Sequence, residues 1–290
     1  MLLRPAAVPG VLLCAALALV LAGCGGGSSS QAPEDSPGGS IGRYVALGDS
    51  YSAGPGIPTT SYAVGCHRSD HSYPQTLAAV LGVDDLQDVA CGGATIGDIT
   101  GPQHTSGGGV PPQLDAVTGD TNLVTVSIGA NDMRLLPMLL ACGSLDLQNQ
   151  NGAPCQETYA AAVGAALPPL RAHLVDLLQQ IADRAPNAKI VVIGYPQLFD
   201  AGDQCAKIPL TSGDYAFAAT TITQMNEQLR AAAAQQGATY VDVEAASAGH
   251  DICSDVPWVN GPGRSPLAAQ LHPFEREQDA VTQLVRQALR

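Results

Sequence analysis

Five short apolar runs punctuate the chain after its first forty residues, over 44–47, 86–90, 123–128, 190–194 and 240–243. The stretches between them carry a different period. Leu170, Leu174, Leu177, Leu178 and Ile181 recur at helical spacing, with Arg171, Asp176 and Gln180 on the opposite side, so this segment reads as a helix packed by one face. Near the C-terminus, Pro273 sets the φ of a first helical turn, and Val281, Leu284, Val285 and Ala288 make the apolar stripe behind it. That reading puts His272 at a helix N-terminus. Apolar runs alternating with helices predict an α/β fold, a three-layer α/β/α sandwich around a central, mainly parallel five-stranded sheet.

The chain opens differently. A single charge at Arg4 precedes an apolar run over 11–21 and the small residues Ala22 and Gly23 before Cys24, so residues 1–23 read as an export signal. The end Leu21-Ala22-Gly23-Cys24 resembles a bacterial lipobox, in which Cys24 is lipidated and becomes the mature N-terminus. Acyl chains there would hold the protein to the outer face of the cell membrane, or the protein is secreted if the lipobox is unused. Residues 24–40 are rich in Gly, Ser and Pro and form a flexible tether, and 41–290 make one domain, read as a monomer. Beyond the N-terminus no apolar run is long enough to span a bilayer.

Composition narrows the partners. With 46% hydrophobic and 13% charged residues the body is globular, and a formal net charge of −13 with no basic patch excludes nucleic acid as a partner. Setting aside Cys14 and Cys24, six cysteines remain in an exported chain, which reads as disulfides. Six can pair in many ways, and their grouping favours neighbours: Cys66 with Cys91, Cys142 with Cys155, Cys205 with Cys253. No Cys-x-x-Cys or His-Cys spacing indicates zinc, so no metal and no cofactor is expected.

Four stretches carry candidate chemistry. Gly48-Asp49-Ser50 follows the first apolar run, and a serine leaving a strand tip points its hydroxyl into the crevice beyond the carboxyl ends of the strands. Gly92-Gly93 follows the second run, where a bare backbone N–H can approach a ligand. Gly129-Ala130-Asn131-Asp132 follows the third, and the Asn131 carboxamide can donate to a developing oxyanion. Leu271-His272-Pro273 offers a base able to activate a serine. Each alone also fits a plain turn or cap.

Taken in order, Gly48-Asp49-Ser50, Gly93, Gly129-x-Asn131-Asp132 and His272-Pro273 resemble the SGNH hydrolases, also called the GDSL lipase and esterase family. The resemblance spans residue 44 to the C-terminus. It implies a flavodoxin-like fold and an esterase in which Ser50 is the nucleophile and His272 the base. The Ser50 N–H, Gly93 N–H and Asn131 side chain would form the oxyanion hole, with Gly92 replacing Gly93 if the alignment slips by one. Cys66-His67-Arg68-Ser69 before Tyr73-Pro74, Cys91-Gly92-Gly93 and six body cysteines are similar to secreted actinobacterial members with three sequential disulfides, which supports the pairing above.

One position departs from the family. Where an aspartate usually stands three residues before the histidine, this chain has Ala269. Some relatives orient the histidine with a backbone carbonyl, and the 266–270 loop is expected to supply that oxygen, with Asp251 or Asp255 as rivals. The expected substrate is a small ester, either an acyl lipid or an acylated glycan. An acyltransferase of the same fold and a lipid- or glycan-binding lipoprotein without turnover are the alternative readings.

Overall fold

The computed structural model describes residues 41–290 except 203, 206, 263 and 264, so the stretches expected to be an export signal and a tether, with Cys24, lie outside the described residues. The five apolar runs become strands β1 (Arg43–Gly48), β2 (Asp85–Asp88), β3 (Leu123–Ser127), β4 (Lys189–Ile193) and β5 (Thr239–Val241). They form one sheet in the order β2-β1-β3-β4-β5, with every neighbouring pair parallel. This is the doubly wound flavodoxin-like order, and the chain leaves β1 in opposite directions toward β2 and β3.

Alternation along β1 explains the layers. Val45 and Leu47 face a core shared with helices α5 (Pro154–Arg184) and α6 (Ser212–Gln235), whereas Tyr44 and Ala46 face one shared with α2 (Tyr73–Leu81) and α8 (Glu275–Ala288). The predicted stripe holds: Leu170, Leu174, Leu177, Leu178 and Ile181 of α5 are all buried. Each contributes about 1.5–3 kcal/mol by leaving water. At 31 residues α5 is also long and apolar enough to cross a bilayer by length and composition, which the sequence reading denied. Its buried stripe makes it a core helix instead.

The C-terminal helix corrects the sequence reading in two ways. It begins at Glu275 with Phe274 as N-cap, so Pro273 stands before the helix rather than in its first turn. Pro273 instead forms a β-bridge with Val259, and the Phe274 N–H donates to the Trp258 carbonyl at 2.8 Å. Ala288 is exposed, while the polar residues Glu277, Gln278 and Thr282 are buried beside Val281 and Val285. Gln278 accounts for this: its Nε2 donates to the Tyr51 carbonyl at 3.0 Å and to Glu277 at 2.6 Å, and its Oε1 accepts from the Tyr73 N–H at 2.8 Å. A buried amide with its bonds made costs little and fixes the register of α8 against its neighbours.

All three disulfides join the neighbours that the sequence reading favoured, Cys66–Cys91, Cys142–Cys155 and Cys205–Cys253. They close loops of different length around the C-terminal edge of the sheet, where the candidate residues lie.

Candidate active site

Gly48 ends β1 opposite Ser127, the last residue of β3. Its φ is +150°, and a Cβ there would lie 2.6 Å from the Ser127 carbonyl oxygen and 2.3 Å from Ser52 Oγ. Only glycine permits that approach. Gln113 clamps the same residue, its amide accepting from the Gly48 N–H at 2.8 Å and donating to the Gly48 carbonyl at 2.9 Å. The chain turns at once into the short helix α1 (Ser50–Ala53), with Asp49 as N-cap accepting from the Tyr51 N–H at 2.8 Å. Ser50 is thus the first residue of a helix at the tip of β1, half-buried, and its N–H has no partner among the described residues.

The second and third stretches are tied to the first and to each other. The Asp49 N–H donates to the Ser127 carbonyl at 3.0 Å, and the Cys91 N–H to the Gly48 carbonyl at 3.0 Å. Asn131 Nδ2 donates to the Ala94 carbonyl at 2.8 Å, which leaves its second hydrogen free. The Asp132 carboxylate accepts from the Ile96 N–H at 3.2 Å, at the start of helix α3 (Ile96–Thr100). Between the two glycines the bonds discriminate: the Gly92 N–H is spent on the Cys66 carbonyl at 2.9 Å, whereas the exposed Gly93, at φ +78°, has an N–H without a partner among the described residues.

The fourth stretch arrives from far along the chain. Tyr51, next to Ser50, donates its hydroxyl to the Leu271 carbonyl at 2.8 Å, and its ring centroid lies 5.7 Å from that of His272. Leu271 has a φ of +57°, a costly conformation for a branched side chain. Asn260 holds it there: its carbonyl accepts from the Leu271 N–H at 2.8 Å, its N–H donates to the His272 carbonyl at 2.9 Å, and its side chain donates to the Ala268 carbonyl at 2.7 Å.

His272 Nδ1 lies 2.8 Å from the Gln270 carbonyl oxygen, within the loop expected to provide such a partner. A carbonyl can only accept, so Nδ1 carries the hydrogen and Nε2 keeps its lone pair. Ala269 supplies backbone alone, its N–H donating to the Pro55 carbonyl at 2.8 Å. Asp251 instead accepts from the Cys253 N–H at 2.8 Å and Asp255 is exposed; neither bonds to His272 among the described residues. Burial holds the imidazole below its ordinary pKa, against the smaller opposing effect of the Gln270 bond. Helix α8 starts three residues later, so His272 is not at the helix N-terminus where the sequence reading places it, and burial rather than a helix end disfavours the imidazolium.

Sequence reasoning missed Tyr195, just beyond the tip of β4. Its hydroxyl donates to Asp49 Oδ2 at 2.5 Å and accepts from the Ala130 N–H at 3.2 Å, bridging the first and third stretches in a fully buried position. The signal was weak, a tyrosine following Ile193-Gly194 at a strand end. Tyr195→Phe leaves the Ala130 N–H and one Asp49 oxygen unpaired, and the expected cost is about 1–3 kcal/mol in urea unfolding, with a lower kcat.

Burial pushes the Asp49 carboxyl up to about 7, against the opposing bonds from Tyr195 and Tyr51, and pushes Glu277 up to about 8. A carboxyl whose pKa is raised on folding favours the folded state most below its unfolded value, and that contribution is lost as pH rises through the folded one. Stability should therefore decline between about pH 4 and pH 8, read as a falling melting temperature. His272 acts in the opposite sense only below its ordinary value, and Glu277→Gln should flatten the upper part of the decline.

A model of the GDSL-like lipase/acylhydrolase family matches residues 46–276. Lipase 2 of Streptomyces coelicolor is 38% identical over 217 residues, which make 72% of this chain and 72% of that protein. Among solved structures, an extracellular lipase from Streptomyces rimosus superposes with a TM-score of 0.73 at 31% identity, covering 85% of this chain and 99% of that one. Phospholipase A1 from Streptomyces albidoflavus NA297 gives 0.72 at 28% identity, covering 86% and 99%.

Proposed function

The chain belongs to the GDSL-like lipase/acylhydrolase family and is a serine ester hydrolase, and from that premise we propose that Ser50 is its nucleophile and His272 its general base. One observation carries the assignment. The tips of β1, β2 and β3 are hydrogen-bonded to one another, and Tyr51 ties the His272 loop to the residue beside Ser50. Acyltransfer and binding without turnover are not favoured, since the relatives are named as lipases and esterases.

His272 Nε2 takes the proton of the Ser50 hydroxyl as Oγ attacks the ester carbonyl carbon. The carbonyl oxygen becomes an oxyanion that accepts from the Ser50 N–H, the Gly93 N–H and the free Asn131 Nδ2 hydrogen. Collapse of the intermediate breaks the bond to the alcohol oxygen, which leaves with the proton from His272. Water then attacks the acyl carbon on Ser50 with His272 again as base, and collapse breaks the bond to Oγ, which takes the proton back from His272 as the carboxylic acid departs. Through all steps the Gln270 carbonyl keeps the ring oriented, the task a carboxylate performs in a triad.

The substrate proposed is an acyl lipid rather than an acylated glycan, by analogy with the lipases and the phospholipase A1 among the relatives. The three disulfides belong to an exported protein. Lipidation at Cys24, with residues 24–40 as tether, would keep this enzyme on the outer face of the membrane that carries such esters. A p-nitrophenyl ester assay across pH tests the base. The acidic limb of kcat/KM should have its midpoint below about 6.5, as burial of His272 requires. A midpoint well above that value would contradict a buried, neutral imidazole.

A further inference from the structure

After helix α3 the chain forms a short antiparallel hairpin that pairs 103–105 with 108–110, and of these eight residues Gln103 alone is buried. His104, Ser106 and the glycines 107–109 are exposed, yet this one amide turns inward and is 7% exposed. Its Nε2 donates to the Gly92 carbonyl at 2.9 Å, the side chain's only bond among the described residues. A carbonyl can only accept, so the nitrogen faces Gly92, and Oε1 is left buried without a partner among the described residues. An unpaired buried acceptor destabilises a fold, so packing does not account for a glutamine here. An apolar side chain of the same length would fill the place without that penalty.

What the amide holds is one peptide unit. The Gly92 carbonyl and the Gly93 N–H belong to the same planar trans peptide, in which they point in opposite directions. Holding the oxygen on the Gln103 side aims the Gly93 hydrogen to the other side, where it has no partner among the described residues. Glycine flanks this peptide on both sides and Gly93 stands at φ +78°, so no side chain resists its rotation. A rotated unit would present a carbonyl oxygen where an oxyanion forms. The neighbouring peptides are held by other groups: the Gly92 N–H by the Cys66 carbonyl at 2.9 Å, and the Ala94 carbonyl at 2.8 Å by Asn131, ahead of α4 (Leu135–Gln148).

We infer that Gln103 is a positioning residue of the oxyanion hole, which fixes the direction of the Gly93 N–H by holding the carbonyl of the same peptide. The inference rests on the Ser50 site proposed above and extends it to a residue outside the four motif stretches. Gln103 acts through Gly93 rather than on the substrate. Its effect is preorganisation, since a donor already aimed at the developing charge needs no reorientation during the reaction.

Gln103→Met keeps the length of the side chain and removes the donor together with the unpaired Oε1, so its melting temperature should stay within a few degrees of wild type. On p-nitrophenyl butyrate its kcat should fall about 10–100-fold with KM little changed. That is less than the loss of a whole donor, because the Gly93 N–H still visits the productive direction. Binding of octyl trifluoromethyl ketone, which attack by Ser50 converts into a bound oxyanion, should weaken by the same factor. Gln103→Leu should reproduce both losses. An unchanged kcat, a loss carried by KM, or a loss explained by unfolding of both variants at the assay temperature would overturn the inference. Ketone binding that is equally tight in wild type and both variants would overturn the role of Gln103 alone. A wild-type enzyme that fails to bind the ketone at Ser50 would overturn the Ser50 reading, and this inference with it.

Discussion

Ser50→Ala should lose on the order of a million-fold in kcat toward p-nitrophenyl esters, and His272→Ala nearly as much. Each removes half of one proton-transfer unit: without the hydroxyl there is nothing to acylate, and without the imidazole the hydroxyl keeps its proton. The double variant should be no slower than either single one, because the two losses are the same loss. Rates rather than stability should change, since Ser50 and His272 are both only partly buried and Ser50 has no side-chain bond to lose among the described residues. A double variant markedly slower than both would mean that the two residues act independently.

Asn131→Ala should lower kcat about 10²–10³-fold with KM little changed, as expected for a donor that engages only the developing oxyanion. The residue has a second task, the 2.8 Å bond to the Ala94 carbonyl that holds the Gly93 loop against the tip of β3. Both tasks draw on one NH₂ group. If oxyanion stabilisation dominates, the loss appears in kcat while the melting temperature moves by a few degrees at most. A loss explained wholly by unfolding at the assay temperature would assign Asn131 to the scaffold alone.

The sheet was legible in the sequence because each strand is a short apolar run that ends in a change of residue type, and the β1, β2 and β3 runs end directly in the candidate motifs. The α5 stripe was legible for the same reason, a sustained helical period. Reading failed where polar residues are buried by partners distant in sequence. Gln278 is fully buried because it bonds Tyr51 and Tyr73, more than two hundred positions earlier, and no local pattern encodes that. Pro273 was placed inside the helix on propensity, whereas the bridge to Val259 holds it outside.

The site divides along the same line. Ser50, Gly93, Asn131 and His272 stand at strand ends or in motifs, and the structure brings their stretches to one edge of the sheet. The residues that hold those stretches in place were silent. Tyr195, Asn260 and Gln113 act through bonds spanning 146, 8 to 12 and 65 positions, and a lone tyrosine, asparagine or glutamine outside the strands and long helices carries no mark of such a task. The missing aspartate at Ala269 was visible, and the Gln270 carbonyl takes over its place beside Nδ1.

Treatment with a fluorophosphonate, followed by peptide mass mapping, addresses the whole arrangement at once, because the probe reacts only with a serine that a neighbouring base has activated. A single adduct on the peptide containing Ser50 is the expected result, absent from Ser50→Ala and formed far more slowly in His272→Ala. An adduct on another residue, or labelling at the same rate without His272, would contradict the account.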